Sequence, residues 1–463
     1  MIKRLTIAVI ALILLGIGCN PKLYEPAIVV PERYIYAAGG QRDSLTLPDN
    51  WWTMFGDSTL NALIDRALAY NRDLEIAVSR IEEARDNLKI VSAEFLPSVN
   101  VGVSAEGSGS GTTSVAQTYK IAPTISWEIP LFGSLRHTSN AAWAKIAYTE
   151  WQYRGVRLSL AAEVATTYFT LLQYKRDYEI AVRSSQLRKE SAALIDSIFQ
   201  RGMATGLNLE RAKNLVYTAE ADIPVYDRAI RQTLLSLNTL LGEMPDSADY
   251  DSMGTRKITD YEPLEIPAGL PSEILHRRPD VMSAYWQMEQ AAANVGIARS
   301  ARFPSISLSA EGGASSLKIR ELFTANSWYW SAIGSLAQPL FRFGSLKRSE
   351  MAAREQYRQS VLSYEQAYIE AISDVESALV SIAAYRNETM RYKQLVESNM
   401  QVAILTSALY DNGLSAYLDV IDAERSLYDS QMQYSNIVAQ QYINYVNLCK
   451  ALGGGWIDPS QDR

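Results

Sequence analysis

The chain has 463 residues, a formal net charge of −7 and 21% charged residues. This acidic balance provides no basic surface that would hold nucleic acid. Two cysteines and two histidines leave little material for a metal cluster or a disulfide framework. We therefore expect no nucleic-acid partner, no structural metal and no resident cofactor.

The N-terminus has the pattern of an export signal. Two basic residues precede an apolar run with small residues at its end, which predicts a secretory signal peptide over residues 1–18. The cysteine that follows, Cys19, resembles the lipidated first residue of a bacterial lipobox. Gly16 departs from that motif, which usually has leucine there, so a plain signal peptide or a short membrane anchor is the alternative. Asn20 is not the aspartate that usually retains lipoproteins at the inner membrane, and it indicates an outer-membrane address.

Beyond Cys19 the pattern changes from apolar to proline-rich. Residues 19–50 lack a hydrophobic period, and we expect an extended, lipid-anchored segment rather than a helix. The first helical pattern then runs over residues 58–93. In the second half of the chain, Asp280 follows Pro279 and suits the start of a helix.

The chain contains an internal repeat. The stretch EFLPSVNVGVSAEG, which starts at Glu94, returns as ARFPSISLSAEGGA at Ala301. The offset is 207 residues at the first shared proline, 209 at the second and 211 at the glycine that ends the next helix. Each copy is therefore a whole unit of strands and helices, with two small insertions between them. The equivalent positions are Pro97 and Pro304, Pro130 and Pro339, and Gly202 and Gly413.

The repeat defines the expected domains. Repeat 1 covers residues 51–242 and repeat 2 covers residues 271–455, and each should contain a helix, a β-hairpin and long helices. Residues 243–270 are rich in proline, aspartate and glutamate and form the connector between the repeats. Residues 456–463 form a C-terminal tail.

Alternating segments in each copy predict β-strands. Val99, Val101 and Val103 alternate with polar residues, and Ile306 and Leu308 do the same in the second copy. Period two over about ten residues is typical of a strand that crosses a membrane at a tilt, and nearby tryptophans suit an interfacial girdle. An ordinary soluble hairpin with one buried face is the alternative. The predicted strands cover about 98–107, 118–129, 304–313 and 327–338.

Two long stretches without proline predict very long helices. Residues 131–223 and 340–458 contain no proline, and apolar residues recur there at steps of three and four, as in coiled-coil packing. A helix from His137 to Arg201 would be about 95 Å long at about 1.5 Å per residue. A globular core of this chain length needs no rod of that size, so we expect these helices to span a distance.

Assembly follows from the number of strands. Four strands cannot close a membrane barrel, and an isolated pair of hairpins is marginally stable. Three chains supply twelve strands, an even number that suits a closed barrel without edges. We therefore expect a homotrimer that is pseudo-sixfold because of the repeat. The expected fold class is mainly α-helical with a small membrane β-barrel, to which each chain contributes four strands.

Three segments resemble the TolC-like outer-membrane factors: WWTMFGDSTLNALIDRAL from Trp51, HRRPDVMSAYWQMEQAAANVGIARSARFPSISL from His276, and the duplicated P-L-F-G-S-L turns. The similarity is greatest to the NodT-type lipoprotein branch, which serves resistance-nodulation-division efflux pumps. It implies a trimer with a barrel in the outer membrane, a helical tunnel through the periplasm and an equatorial region built from the connector and the C-terminal end. The implied function is a passive exit duct that receives small molecules from a periplasmic adaptor and an inner-membrane pump.

Two aspartates suggest where such a duct is constricted. Asp419 and Asp422 lie three residues apart and therefore face the same way on a helix. In three chains they would form two stacked carboxylate rings, a cation-selective arrangement whose crowding raises proton affinity. A solvated helix face is the alternative. Both positions match the acidic constriction that the family has near its periplasmic tip.

The closing latch of the family is expected to be absent here. In the family, an arginine soon after the tip glycine pairs with an acidic residue on the other hairpin, but these positions are Ser415 and Asn208 in this chain. Closure would then rest on the two aspartates together with Tyr410, Leu418 and Arg425. The resemblance also implies that the tip contacts the adaptor, through Gly202, Asn208, Gly413 and Ser415.

Other classes of function have weaker support in the sequence. The chain has no nucleophile motif, no phosphate-binding glycine loop and no metal-ligand spacing, so we do not expect an enzyme. A lipid-anchored coiled-coil stalk without a pore is one alternative, against which the alternating segments argue. A type I protein-secretion outlet is the other, because the same tunnel would serve a different inner-membrane engine. The sequence does not identify the substrate.

Overall fold

The computed structural model describes residues 23–36, 47–109, 116–244, 256–262, 264 and 274–455. The predicted signal peptide, Cys19, the C-terminal tail and most of the predicted connector lie outside the described residues. Within the described residues the chain forms two compact units. The sheet unit lies within residues 1–28, 78–151 and 282–367, and the tip unit lies within residues 29–77, 152–281 and 368–463.

The two repeats contain the same order of elements. Repeat 1 has α1 (Ser58–Tyr70), α2 (Arg72–Ala93), β1 (Ser98–Ser108), β2 (Ala116–Ile129), α3 (Ser134–Gln200) and α4 (Gly206–Leu240). Repeat 2 begins with the single turn Ile274–Arg277 and continues with α5 (Pro279–Ser300), β3 (Ser305–Ser316), β4 (Trp328–Ala337), α6 (Ser345–Asp411) and α7 (Tyr417–Ala451). The predicted mainly helical fold with four strands per chain is confirmed.

The four strands form one antiparallel sheet in the order β1-β2-β3-β4. In its register, Val99 lies opposite Ile125 and Trp127 lies opposite Leu308. Because successive side chains of a strand point to opposite faces, this register collects most of the large apolar residues of the four strands on one face and most of the serines on the other, with Ile333 on the serine face as an exception. The apolar face includes Val99, Val101, Val103, Ile121, Ile125, Trp127, Ile306, Leu308, Trp328, Trp330 and Leu336.

The long helices have equal lengths in the two repeats. Both α3 and α6 contain 67 residues, and both α4 and α7 contain 35. A helix of 67 residues is about 100 Å long. Among the described residues, no helix combines the length and the apolar character that crossing a lipid bilayer requires.

The predicted helical run over residues 58–93 is wrong in one respect, because it is two helices. Asn71 lies between α1 and α2, and its Oδ1 atom accepts hydrogen bonds from the backbone N–H groups of Asp73 at 2.9 Å and Leu74 at 3.2 Å. Asparagine is among the most favourable residues at a helix N-terminus. The side chain therefore starts a second helix where the apolar periodicity suggested one continuous helix.

The described part of the N-terminal segment, residues 23–36, has no helix or strand and is held by α6. The hydroxyl of Tyr357 donates to the carbonyl oxygen of Tyr24 at 2.8 Å, and Glu365 accepts from the N–H of Ala27 at 2.7 Å. The equivalent positions of the first repeat have neither the hydroxyl nor the carboxylate. Glu376 likewise accepts hydrogen bonds from the N–H groups of Ile35 and Tyr36. The positions of repeat 1 that correspond to Tyr357, Glu365 and Glu376 are Ile146, Arg154 and Ala165. These contacts with the N-terminal segment therefore distinguish repeat 2 from repeat 1.

Candidate functional site

Two helical turns carry the residues that the sequence singled out at the tip. Gly202 follows α3 with φ of 75°, and Gly413 follows α6 with φ of 71°. Glycine adopts this left-handed conformation without a steric penalty. It allows the N–H of Leu414 to return to the carbonyl of Leu409 at 2.9 Å, which closes the end of α6.

A small buried cluster joins the hairpins behind these turns. Its members come from α3, α4 and α7, and Tyr410 of α6 packs against it. The rings of Tyr410 and Tyr417 lie 5.3 Å apart between centroids, and the Tyr417 hydroxyl is 3.3 Å from Oγ of Ser191. The structure therefore places Tyr410 in the packing between helices. The buried residues are Ile195, Leu209, Ala212, Tyr417 and Val420.

The predicted acidic pair lies on the other side of α7. Asp419, Asp422 and Arg425 are all exposed, as is Leu418, whereas the cluster residues of the same helix are buried. Nε of Arg425 is 3.9 Å from Oδ2 of Asp429, one turn further along α7. The structure thus brings the two carboxylates together on one exposed helix face and separates them from Tyr410.

Asp419 has a local role that sequence reasoning missed. Its Oδ2 atom accepts a hydrogen bond from the N–H of Ala416 at 3.1 Å, so it caps the start of α7. In the first repeat the reciprocal bond is present instead, because Oγ1 of Thr205 accepts from the N–H of Asn208 at 3.3 Å. A capping box combines both bonds, and here each repeat has one half. The signal in the sequence was an acidic residue three positions after Ala416, the last residue before α7.

The two positions of the family's latch take part in ordinary turn contacts. Oγ of Ser415 lies 3.5 Å from the carbonyl oxygen of Thr406, within the α6–α7 turn. Asn208 is half-buried in the first turn of α4, where its N–H is held by Thr205. Neither side chain carries a charge, and the absence of an arginine–carboxylate latch stays a prediction.

A layer of buried charged and phenolic groups lies further along the same helices. Nη1 of Arg188 donates to the carbonyl of Leu215 at 3.1 Å, and its guanidinium lies 4.9 Å from the ring centre of Tyr428. The Tyr428 hydroxyl donates to Oδ2 of Asp222 at 2.7 Å. Burial lowers the pKa of Arg188, and the nearby Glu424, whose pKa burial raises, offsets part of that effect. The layer ties α7 to both helices of the first hairpin.

The duplicated hairpins, the sheet with one apolar face and the paired turns define the class of outer-membrane channels. The solved open-state MtrE channel of Neisseria gonorrhoeae has the same fold, with a TM-score of 0.85 and 28% identity over 94% of this chain and 98% of that chain. The sequence profile described as outer membrane efflux protein matches residues 63–243 and 270–454, once in each repeat. The chain belongs to this family of outer membrane efflux proteins.

Curated relatives cover almost the full length of the chain. The solvent efflux pump outer membrane protein SrpC of Pseudomonas putida is 32% identical over 98% of this chain and 99% of its own length. The cation efflux system protein CusC of Escherichia coli O6:H1 is 30% identical over 96% and 97%. The family consists of trimeric outer-membrane channels that work with an adaptor and an inner-membrane pump, and not of enzymes. The predicted family, outer-membrane location and function as an efflux channel are confirmed.

Proposed function

We propose that this chain forms a homotrimeric exit duct whose narrowest part is lined by Asp419 and Asp422, and that a pump of the resistance-nodulation-division type feeds it through a periplasmic adaptor. The observation that carries the proposal is the exposure of both carboxylates on the face of α7 opposite the buried cluster. Three copies would present six carboxylates in two stacked rings. Such rings favour cations and slow anions.

Ion selectivity in planar bilayers tests the constriction. The double variant Asp419→Asn, Asp422→Asn should conduct more current or lose cation preference, because it removes the charge and keeps an oxygen that can still accept from Ala416. Asp86→Asn is the matched control, since Asp86 is an exposed aspartate of α2 that pairs with Lys89. Unchanged selectivity in the double variant would refute the carboxylate constriction.

The tip also presents apolar side chains that suit a protein partner. Met203, Leu207 and Leu414 are exposed beside the two turn glycines. Exposed apolar residues that are rimmed by polar ones often mark protein interfaces. We assign this surface, with Gly202, Asn208, Gly413 and Ser415, to the adaptor.

Substitution at this surface distinguishes adaptor docking from permeation. Leu207→Asp with Leu414→Asp should abolish resistance in cells and cross-linking to the adaptor, while single-channel conductance in bilayers stays unchanged. Loss of conductance would assign the residues to the pore instead. A normal resistance level would argue against an adaptor at this surface, and would favour the coiled-coil stalk if conductance were also missing.

The lipid anchor and the substrate are separate parts of the proposal. We assign the anchor to Cys19, which labelled palmitate should modify in the wild type and not in Cys19→Ser. The relatives named above serve solvent and cation efflux systems, so a deletion strain should be compared on apolar solvents and on metal cations. Neighbouring genes for a proton-driven pump and an adaptor would separate this role from type I protein secretion.

A further inference from the structure

A pocket of about 430 Å³ lies between α3 and α5, within the sheet unit. Two indole rings line it, those of Trp143 and Trp286, together with the carboxylate-bearing side chain of Glu289. Leu23 of the N-terminal segment lines it as well. Ligand sites typically have such a volume and combine apolar or aromatic walls with a few polar groups. The remaining lining residues are His137, Asn140, Ala144, Ala292 and Ala293.

The carboxylate of Glu289 has no counter-charge in the part of the chain that the structure describes. The residue is half-buried, and no described residue donates a hydrogen bond to it or forms a salt bridge with it. Burial raises the pKa of Glu289, and none of the described cations offsets that shift. His137 supplies no positive charge at neutral pH, because burial lowers the pKa of its imidazole.

The other repeat has the same carboxylate with a partner. Both α2 and α5 contain 22 residues, and their first and last residues differ by the same offset, 279 − 72 = 207 and 300 − 93 = 207. Glu289 therefore corresponds to Glu82, and Ala292 corresponds to Arg85. Nη1 of Arg85 lies 2.7 Å from Oε1 of Glu82. In repeat 2 the smaller alanine leaves the pocket open and supplies no guanidinium to the carboxylate.

The lining of the pocket has the chemistry that recognises an alkylammonium group. Trp143 is 60% exposed, so the indole is accessible to a ligand. The face of an aromatic ring attracts a cation, most strongly when the ring is tryptophan, and aromatic side chains recognise quaternary ammonium ligands in this way. Glu289 adds the opposite charge, and the alanines leave room for methylene groups.

The position of the pocket indicates the source of the ammonium. Ile129 ends β2 and Ser134 begins α3, so the pocket residues of α3 lie on the first three turns after the sheet. Leu23 is four residues from Cys19, and four residues span at most about 14 Å. A lipid on Cys19 would enter the bilayer, and it would therefore hold the pocket close to the membrane surface on the side that faces lipid.

We propose that this pocket binds the head group of a phospholipid whose ammonium pairs with Glu289 and packs against Trp143 and Trp286. Phospholipids with an amine in the head group have this chemistry, and anionic phospholipids without an amine do not. The bound ammonium takes the part that the guanidinium of Arg85 has in repeat 1. This inference rests on the lipid anchor proposed for Cys19 and is independent of the carboxylate constriction.

Lipid retention by the purified protein tests the site. The protein in detergent is mixed with equal amounts of phosphatidylethanolamine and phosphatidylglycerol that carry the same acyl chains, and native mass spectrometry counts the lipids retained. The wild type should retain the amine lipid several-fold over the anionic one, and Glu289→Gln should lose that preference. Glu83→Gln is the matched control, because Glu83 is an exposed glutamate of α2. No preference in the wild type, or an unchanged preference in Glu289→Gln, would overturn the site.

An added guanidinium tests the same pocket while the carboxylate is retained. Ala292→Arg gives α5 the residue that repeat 1 has at Arg85, and it should abolish the preference as fully as Glu289→Gln. Gln287→Arg adds the same charge at an exposed position of α5 that does not line the pocket, and it should leave the preference intact. An equal loss in both arginine variants would overturn the site, because surface charge alone would then select the lipid.

Two further readouts separate the source of the ligand and the anchor from the site. Ethanolamine alone, offered in excess, should not displace the retained phospholipid, and its retention in place of the lipid would overturn the lipid assignment. Palmitate labelling of Cys19 is measured independently. Its absence in the wild type would refute the anchor, whereas an unchanged lipid preference in both pocket variants would refute the site.

Discussion

Asn71 donates a hydrogen bond from Nδ2 to the carbonyl oxygen of Leu240 at 2.9 Å, which fixes the start of α2 to the end of α4. The second repeat makes the same bond with a different residue, because Nη1 of Arg278 donates to Ala451 at 3.1 Å. The repeat therefore preserves the junction and not the side chain. The arginine adds ion pairs to Asp280 and Asp374 at 2.6 and 2.9 Å, which the asparagine does not make.

The glycine of this junction should be sensitive to a single methyl group. Gly242 has φ of 71°, and a Cβ there would lie 2.2 Å from the carbonyl oxygen of Tyr70. We expect Gly242→Ala to lower the free energy of unfolding by at least about 2 kcal/mol, from left-handed strain and overlap together. Denaturant titration of the detergent-solubilised protein by circular dichroism measures this.

Gly202→Ala is the control for that prediction. Gly202 has a similar φ of 75°, but a Cβ there would meet nothing within 4 Å. Its substitution should cost only the conformational strain of about 1 kcal/mol. Equal losses for the two variants would show that the close approach to Tyr70 is unimportant.

Asp177 should destabilise the tip unit at neutral pH. Burial raises its pKa to about 6, and the nearby Ser435 hydroxyl and Gln173 amide offset only part of that shift. Because the folded-state pKa lies above the ordinary value, the cost of the charge is complete above about pH 6 and falls as the pH is lowered towards 4. Asp177→Asn should therefore raise the free energy of unfolding by about 2 kcal/mol at pH 7.5. Melting at pH 7.5 and pH 4.5 checks this, and a gain that does not depend on pH would contradict it.

Asp57 should respond to pH in the opposite sense. Burial raises its pKa, but hydrogen bonds from Tyr261 and Tyr168 and from the backbone of α1 outweigh burial and hold the pKa below its usual range. Its contribution to stability is therefore present above about pH 4 and is lost as the pH falls through the lowered pKa. Tyr168→Phe removes a 2.7 Å bond to Oδ2 and should cost about 1–2 kcal/mol at pH 7.

The same melting experiment tests this carboxylate. The difference between Tyr168→Phe and the wild type should shrink in acid, since protonated Asp57 no longer benefits from the phenolic donor. Tyr70→Phe is a suitable control, because Tyr70 is a tyrosine at the end of α1 that is 59% exposed. A difference that stays constant down to pH 3 would mean that Tyr168 acts through packing alone.

Hydrophobic periodicity was sufficient to predict most of the helices and strands described in this chain. It could not predict which side chains contact one another. Alternation along Val99, Val101 and Val103 predicts a strand because a strand exposes every second residue to one environment. The break at Asn71 was missed because apolar spacing continues through it, and only the hydrogen bonds of the Asn71 side chain with Asp73, Leu74 and Leu240 show that the helix is interrupted there. Helix limits depend on such local caps more than on the hydrophobic pattern.

At the tip, too, the sequence pattern predicts which residues share a helix face, but not which side chains contact one another. Spacing places Asp419 and Asp422 on one helix face, and the structure has both exposed. Spacing cannot tell that Tyr410 packs on Tyr417, since those residues lie on different helices and meet through the turn. It also cannot reveal the conformation of Phe343, because a bulky residue with positive φ contradicts the local preference from which predictions are made.

Completing the cap at the start of α7 should separate the structural role of Asp419 from its charge. Ala416 lacks a side-chain acceptor, so the N–H of Asp419 has only a backbone bond to the Ala416 carbonyl at 3.0 Å. Ala416→Ser supplies the missing half of the capping box and should stabilise this end of α7 by about 1 kcal/mol. Slower hydrogen exchange at residues 417–420 would report that gain. Ion selectivity should remain that of the wild type because both carboxylates are retained, whereas Asp419→Asn changes the charge and keeps an oxygen acceptor. If Ala416→Ser altered selectivity as strongly as Asp419→Asn, the geometry of the turn and not the carboxylate charge would control permeation.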